Sequence, residues 1–146
     1  MGRGLNHASR LVVPDAPTDA DRAAIVSGLA AFNRAHVDLG ATGPLAVLIR
    51  DDAGGTVGGL WGTTLFHWLR IDLLFVPHAM RGASLGQAVM ARAEAVAAAR
   101  GCIGASLDTY SFQARGFYEK LGYELVGTID DFPPGGARHF LKKRFA

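Results

Sequence analysis

The spacing of apolar residues changes several times along this chain, and each change marks an element. "RLVV", from Arg10 to Val13, reads as a short first strand. In "PTDADRAAIVSGLAAFNRAH" the spacing becomes helical: Ile25, Leu29 and Phe32 fall at i, i+4 and i+7, one stripe expected to be buried. Thr18 is the expected N-cap; Asp21, three residues on, completes a capping signature and suits the positive helix end. "PLAVLIRDD" and "TVGGLWGTTLF" are strand runs joined by "AGG", a hairpin signal. "RIDLLFV" follows so closely that an antiparallel third strand is expected, ended by Pro77.

From Leu85 the helical spacing returns, with Leu85, Val89, Ala93 and Val96 on one face and Gly101 as the stop. "CIGASLDTY" is a further strand, and the helix before it implies parallel pairing with "RIDLLFV". "SFQARGFYEKLGY" predicts a helix with Ser111 as its N-cap and Gly122 at its end. "ELVGTI" and "ARHFLKKRF" close the chain as two strands around "DDFPPGG". The predicted order is β-α-β-β-β-α-β-α-β-β. It describes one α/β domain over residues 1–146 with a mixed, largely antiparallel sheet.

Composition narrows the function classes. Apolar residues make up 49% of the 146, enough for one core without metals or disulfides. Lys and Arg outnumber Asp and Glu by only 15 to 13, so no concentrated basic face for nucleic acid is expected. The lone cysteine, Cys102, rules out an internal disulfide and reads as a small buried hydrophobe. The amino terminus has no apolar signal-peptide core, and "MGRGLN" lacks the Ser/Thr of a myristoylation site. The apolar stretch from Val57 to Val76 is broken by glycines, His67, Arg70 and Asp72, so no membrane span is expected and a cytoplasmic location is.

One short stretch reads two ways. Gly82-Ala83-Ser84-Leu85-Gly86 fits G-x-S-x-G, the turn that presents a nucleophilic serine, and Asp130 or Asp131 and then His139 follow in hydrolase order. Against this, "PHAMR" separates the strand end from Gly82, and no oxyanion segment rich in glycine precedes it. Begun at Arg81, the same loop is a run of small residues between a strand and a helix start. Its N–H groups and the helix dipole suit a pyrophosphate, with Arg81 at the mouth. His7, His36, His78 and His139 show no metal-ligand spacing, and no metal is expected.

"IDLLFVPHAMRGASLGQAVMARAEAVAAARGC" followed by "FYEKLGY" resembles the GNAT superfamily of acetyl-CoA-dependent N-acetyltransferases. That family places an R/Q-x-x-G-x-G/A loop after a strand and a "FYEKLGF"-like signature on a later helix. Here Ser84 stands where the family has its first glycine. The similarity is clear from Pro44 to the C-terminus. It implies acetyl-CoA as cosubstrate, direct transfer to a primary amine of a small molecule in a ternary complex, and frequent homodimers. The neighbouring expectations are acetylation of a protein N-terminus or lysine, and an acetyl-CoA sensor without turnover.

The resemblance also assigns residues. Arg81, Gly82, Ala83, Ser84, Leu85, Gly86 and Gln87 would surround the pyrophosphate. Leu74, Phe75 and Val76 would pair their main chain with the pantetheine arm, one amide polarising the acetyl carbonyl. Ser111 stands where relatives carry a cofactor-touching asparagine. Tyr118 would touch the cofactor and be the general acid, although its helical stripe with Ala114, Phe117 and Leu121 also suits a core residue. From the residues themselves, Asp72 is the candidate base, a lone carboxylate expected to be desolvated in an apolar strand; pairing with Arg70 is the competing expectation. His67 is the runner-up. Asn33, His36, Trp61, Trp68, Tyr110 and Phe112 are candidates to line an acceptor pocket, with Asp130 and Asp131 to attract a cationic amine.

Overall fold

The computed structural model describes residues 10–82 and 84–146. They fall into two compact units, one ending at Val37 and one over Asp38–Ala146. In the first, α1 spans Asp19–Arg34. The Asp21 N–H donates to Thr18 Oγ1 at 3.1 Å, and the Thr18 N–H donates to the Asp21 carboxylate at 2.9 Å, the reciprocal cap expected. None of its residues is buried, so the Ile25, Leu29 and Phe32 stripe is not covered within its own unit.

The expected strand at Arg10–Val13 does not form, which removes the first element from the predicted order; Leu11, Val12 and Val13 are exposed. Strand propensity is realised only where a neighbouring strand completes the ladder. The described residues of this unit contain none, and Pro14 lacks a donor.

The second unit is an α/β layer structure. Its strands are β1 (Gly43–Arg50), β2 (Thr56–Leu65), β3 (Trp68–Phe75), β4 (Gly104–Tyr110), β5 (Glu124–Asp130) and β6 (Ala137–Arg144). Helix α2 spans Leu85–Ala99 and α3 spans Arg115–Lys120. The six strands form one sheet in the order β1-β2-β3-β4-β6-β5. Only the β3–β4 pair is parallel, because α2 carries the chain back across the sheet between them. A two-residue turn, Phe66-His67, joins β2 to β3 with both residues at positive φ (54° and 62°), the geometry that matches strand twist in a tight hairpin.

One face of the sheet packs on α2. Leu45, Leu60, Leu69, Ile71, Ala105, Leu107 and Leu141 meet Val89, Met90, Ala93 and Ala97 of the helix. The helix buries Ala97 and not Val96, one position round from the expected stripe, since Ala97 sits directly over the sheet while Val96 stays at the margin. Tyr123 closes the far end: its hydroxyl donates to Glu94 of α2 at 3.3 Å, and Lys143 Nζ lies 2.7 Å from the same carboxylate. No described helix is long and apolar enough to cross a membrane.

Candidate active site

The site starts from a defect in strand pairing. β2 and β3 run in register until Trp61↔Leu73, then resume at Gly62↔Ile71, which leaves Asp72 as the extra residue of a β-bulge. Glycine is required opposite it: a Cβ on Gly62 would run into the carbonyl oxygen of Arg70. At the same level the parallel ladder between β3 and β4 stops, its last pair being Ile71↔Leu107. Beyond that point β3 pairs only with β2, while Asp108, Thr109 and Tyr110 pair only with β6. The strands splay, and two open backbone edges face each other across a groove of about 1070 Å³.

Residues from both faces of the sheet line the groove. Thr109 is buried towards the α2 face, whereas Asp108 and Tyr110 alternate to the other face beside Phe140 and Arg138 of β6. On the α2 side the wall is the loop that enters the helix. Gly82 sits at φ 87°, and a Cβ there would meet nothing within 4 Å. Ser84 is the N-cap of α2 in the left-handed conformation (φ 59°, ψ 20°), and its side chain makes no capping bond. The first helical bond runs from the Ala88 N–H to the Ser84 carbonyl, so the amides of Leu85, Gly86 and Gln87 have no partner inside the helix. Gly86 lets α3 approach: a Cβ there would lie 3.3 Å from the Phe117 ring. Arg81 Nε donates to the Val76 carbonyl at 2.9 Å, with its guanidinium 6.0 Å from the Phe75 ring centroid. The cation is thereby clamped at the groove mouth.

Most of the expected residues meet here: Asp72, Leu74, Phe75, Val76, Arg81, Gly82, Ser84, Leu85, Gly86 and Tyr118 all line the groove. Ala83 lies outside the described residues. Gln87 offers its amide from the first turn of α2 but its side chain does not line the groove. Ser111 does not line it either, nor does it cap α3, whose N-cap is Ala114. Instead Ser111 ties the end of β4 to β6, its N–H donating to the Ala137 carbonyl at 2.8 Å and its hydroxyl accepting from the Ala137 N–H at 3.1 Å.

Tyr118 is half-buried, edge-on to Phe117 and Tyr123. Burial, and secondarily the Asp108 carboxylate, push its phenol above the usual tyrosine range, so it stays protonated as a donor. Asp72 does not occupy the apolar setting expected of it. The bulge turns it outward, 37% exposed, where it accepts from Arg70 Nε at 2.9 Å. His67 lies beyond the opposite end of β3, five residues or about 16 Å along the strand from Asp72, and pairs with Asp38 at 3.3 Å. Phe75 is 56% exposed, because the bulge reverses the alternation after Ile71.

Of the acceptor candidates, Tyr110 and Phe112 reach the groove, and Trp61 and Trp68 do not. His139 Nδ1 is engaged with Thr128 Oγ1 at 2.9 Å, and among the described residues no hydrogen bond joins Ser84 to a histidine or carboxylate. The serine-hydrolase arrangement is not assembled. Also among the described residues, no group of three or more His, Cys, Asp or Glu could hold a metal ion.

Among the groove residues that went unnoticed in the sequence are Asp108, Gln113 and Arg138. Arg138 Nε donates to Asp108 at 2.8 Å across adjacent strands. Gln113 accepts from Thr109 Oγ1 at 3.1 Å and the Tyr110 N–H at 2.9 Å, which pins the turn into α3. The alternation of Ser106, Asp108 and Tyr110 against Ala105, Leu107 and Thr109 was the available signal for Asp108.

A strand followed by a helix-entry loop of small residues is the arrangement the sequence resemblance implied, and the comparison with known families decides it. The Acetyltransferase (GNAT) domain family matches residues 43–125. The chain belongs to that family. This GNAT domain is also 47% identical over 93 residues to the blasticidin-S acetyltransferase of Streptomyces morookaense, spanning 63% of this chain and 68% of the relative. It is 38% identical over 122 residues to an acetyltransferase of Agrobacterium fabrum, covering 84% of this chain and 89% of the other. A crystal structure from Agrobacterium tumefaciens superposes on it with a TM-score of 0.84 at 36% identity, over 92% of this chain and 98% of that one.

Proposed function

We propose that this GNAT acetyltransferase uses acetyl-CoA to acetylate a primary amine of a small molecule by direct transfer. The observation that carries the reading is the splay after Ile71↔Leu107. It offers open main-chain edges to an extended ligand rich in amides, and it ends at the unpartnered amides of α2, where phosphate groups bind well. Gly82, with open space over its backbone, admits such a ligand without a clash. A bound acetyl-CoA would supply the thioester. One β3 amide among Leu74, Phe75 and Val76 polarises its carbonyl; the neutral amine forms the C–N bond as the C–S bond breaks. Tyr118 hydrogen-bonds to and protonates the leaving thiolate, and the amine gives up its own proton to a base or water.

Two features favour direct transfer over an acyl-enzyme. Cys102 is 7% exposed and away from the groove, and burial raises its thiol above the usual range. The Ser84 hydroxyl at the groove has no base hydrogen-bonded to it among the described residues. The relative that acts on blasticidin S, by its name, points to a small-molecule acceptor.

The test is a thermal-shift titration with acetyl-CoA against dephospho-CoA and buffer, followed by free-thiol release with amines. A saturating rise of several degrees at submillimolar acetyl-CoA is expected. Double-reciprocal plots should intersect. No shift at millimolar concentration would remove the cofactor assignment, and parallel plots would remove direct transfer.

A further inference from the structure

On the face of the sheet opposite α2, the groove ends among side chains that the transfer chemistry leaves unused. Asp108 sits at the point where β3 and β4 separate, with its side chain 28% exposed. One carboxylate oxygen, Oδ2, accepts from Arg138 Nε at 2.8 Å; among the described residues no hydrogen bond reaches Oδ1. Arg138 is held from several sides. Its guanidinium carbon lies 4.9 Å from the ring centroids of Phe132 and Phe140 and 5.7 Å from that of Tyr110. A cation so confined fixes the carboxylate beside it.

Next to this pair is a platform of rings. Tyr110 stacks on Phe112 with centroids 5.6 Å apart and planes 9° from parallel, and on Phe132 at 5.8 Å and 30°. Phe112 is 73% exposed and lines the groove together with Tyr110, Asp108 and Tyr118. A solvent-exposed phenylalanine in a stack of this order leaves a flat apolar face open beside a carboxylate with a spare oxygen. Those two features match one kind of molecule: an amine carried on a planar ring.

We propose that Asp108 and the Tyr110, Phe112 and Phe132 platform form the acceptor subsite, which takes a primary amine attached to an aromatic or other planar ring. The amine nitrogen hydrogen-bonds to Asp108 Oδ1 and the ring lies against Phe112. This deepens the acetyltransferase reading and rests on it. Asp108, and not Asp72, is then the carboxylate that touches the acceptor.

The experiment compares thiol release from acetyl-CoA with phenethylamine and tryptamine against n-hexylamine. The ring-bearing amines should have kcat/KM about tenfold higher, and Phe112→Ala should reduce that preference by roughly three- to tenfold. Because Phe112 is so exposed, this variant should fold normally. Asp108→Asn should raise KM for every amine while leaving the acetyl-CoA thermal shift intact. Hexylamine turned over as well as phenethylamine, or a preference unchanged in Phe112→Ala, overturns the platform. An unaltered amine KM in a folded Asp108→Asn overturns the carboxylate contact. If acetyl-CoA stabilises the protein but no amine of either kind releases thiol, the acceptor class is wrong and the cofactor reading stands. If acetyl-CoA neither stabilises nor reacts, the acetyltransferase reading itself fails.

Discussion

The two halves of the β3–β4 pair are made of similar residues and do opposite things. From Trp68 to Ile71 the strands are zipped to Gly104–Leu107, with Leu69 and Ile71 inside the core under α2. From Asp72 onward the ladder is gone and the side chains alternate wrongly for a core: Leu73 and Phe75 are exposed while Leu74 packs inward. One extra residue at the bulge separates a packed half from an open half. The sheet supplies rigidity up to Ile71↔Leu107 and leaves backbone hydrogen-bonding capacity unspent just beyond it, at the place where a ligand could take it up.

That division can be tested by mutating each half. Leu69, fully buried in the zipped half, should lose about 2–5 kcal/mol of stability as Leu69→Ala, measured by urea unfolding, with little change in turnover per folded molecule. A comparable loss in turnover would mean that the halves are not separable. Tyr118→Phe, at the open half, should lower turnover roughly ten- to a thousand-fold while the melting temperature and acetyl-CoA affinity hold. Unchanged turnover removes Tyr118 from the chemistry.

A third test uses the two phenols. Tyr118 faces the groove and Tyr123 is buried at the closed end; burial raises the pKa of both, and Glu94 adds to the effect at Tyr123. A raised folded-state pKa holds the proton more tightly than the unfolded chain does. The associated stability is therefore complete below about pH 10 and declines as pH rises above it. The melting temperature should fall through the alkaline range, and Tyr123→Phe should flatten that fall more than Tyr118→Phe. Equal slopes would contradict the deeper burial of Tyr123. The smallest expected effect is at the loop. Ser84 in the left-handed region costs about 1 kcal/mol relative to glycine, so Ser84→Gly should raise stability by about that amount without weakening the acetyl-CoA shift. A lowered melting temperature would show that the serine hydroxyl has an unassigned partner.

What could be read from the sequence follows from the range of the forces involved. α2, its glycine stop and the small-residue loop before it depend on neighbours a few positions apart, and they were legible. So were the hairpins, because short connections leave few ways to pair. Arg10–Val13 was misjudged for the complementary reason: a strand is a property of two segments, and only one was in view. The bulge at Asp72 was also invisible. It arises from register between β2 and β3, and it decided between the two expectations for Asp72 in favour of an exposed partner of Arg70. Asp108 and Arg138 are 30 positions apart and meet only through β4–β6 pairing. Tyr118 was singled out through its family signature, since its spacing alone favours a core residue.

On the proposed function, the open splay between β3 and β4 also bears on inhibition. A molecule that joined the amine to the pantetheine thiol through a short stable linker would fill the Asp108 side and the α2 side of the splay at once. Its two ends would have to let go together before it could leave. Such a compound should be retained far longer than either half, and the rate at which it escapes would report how readily the two strands part.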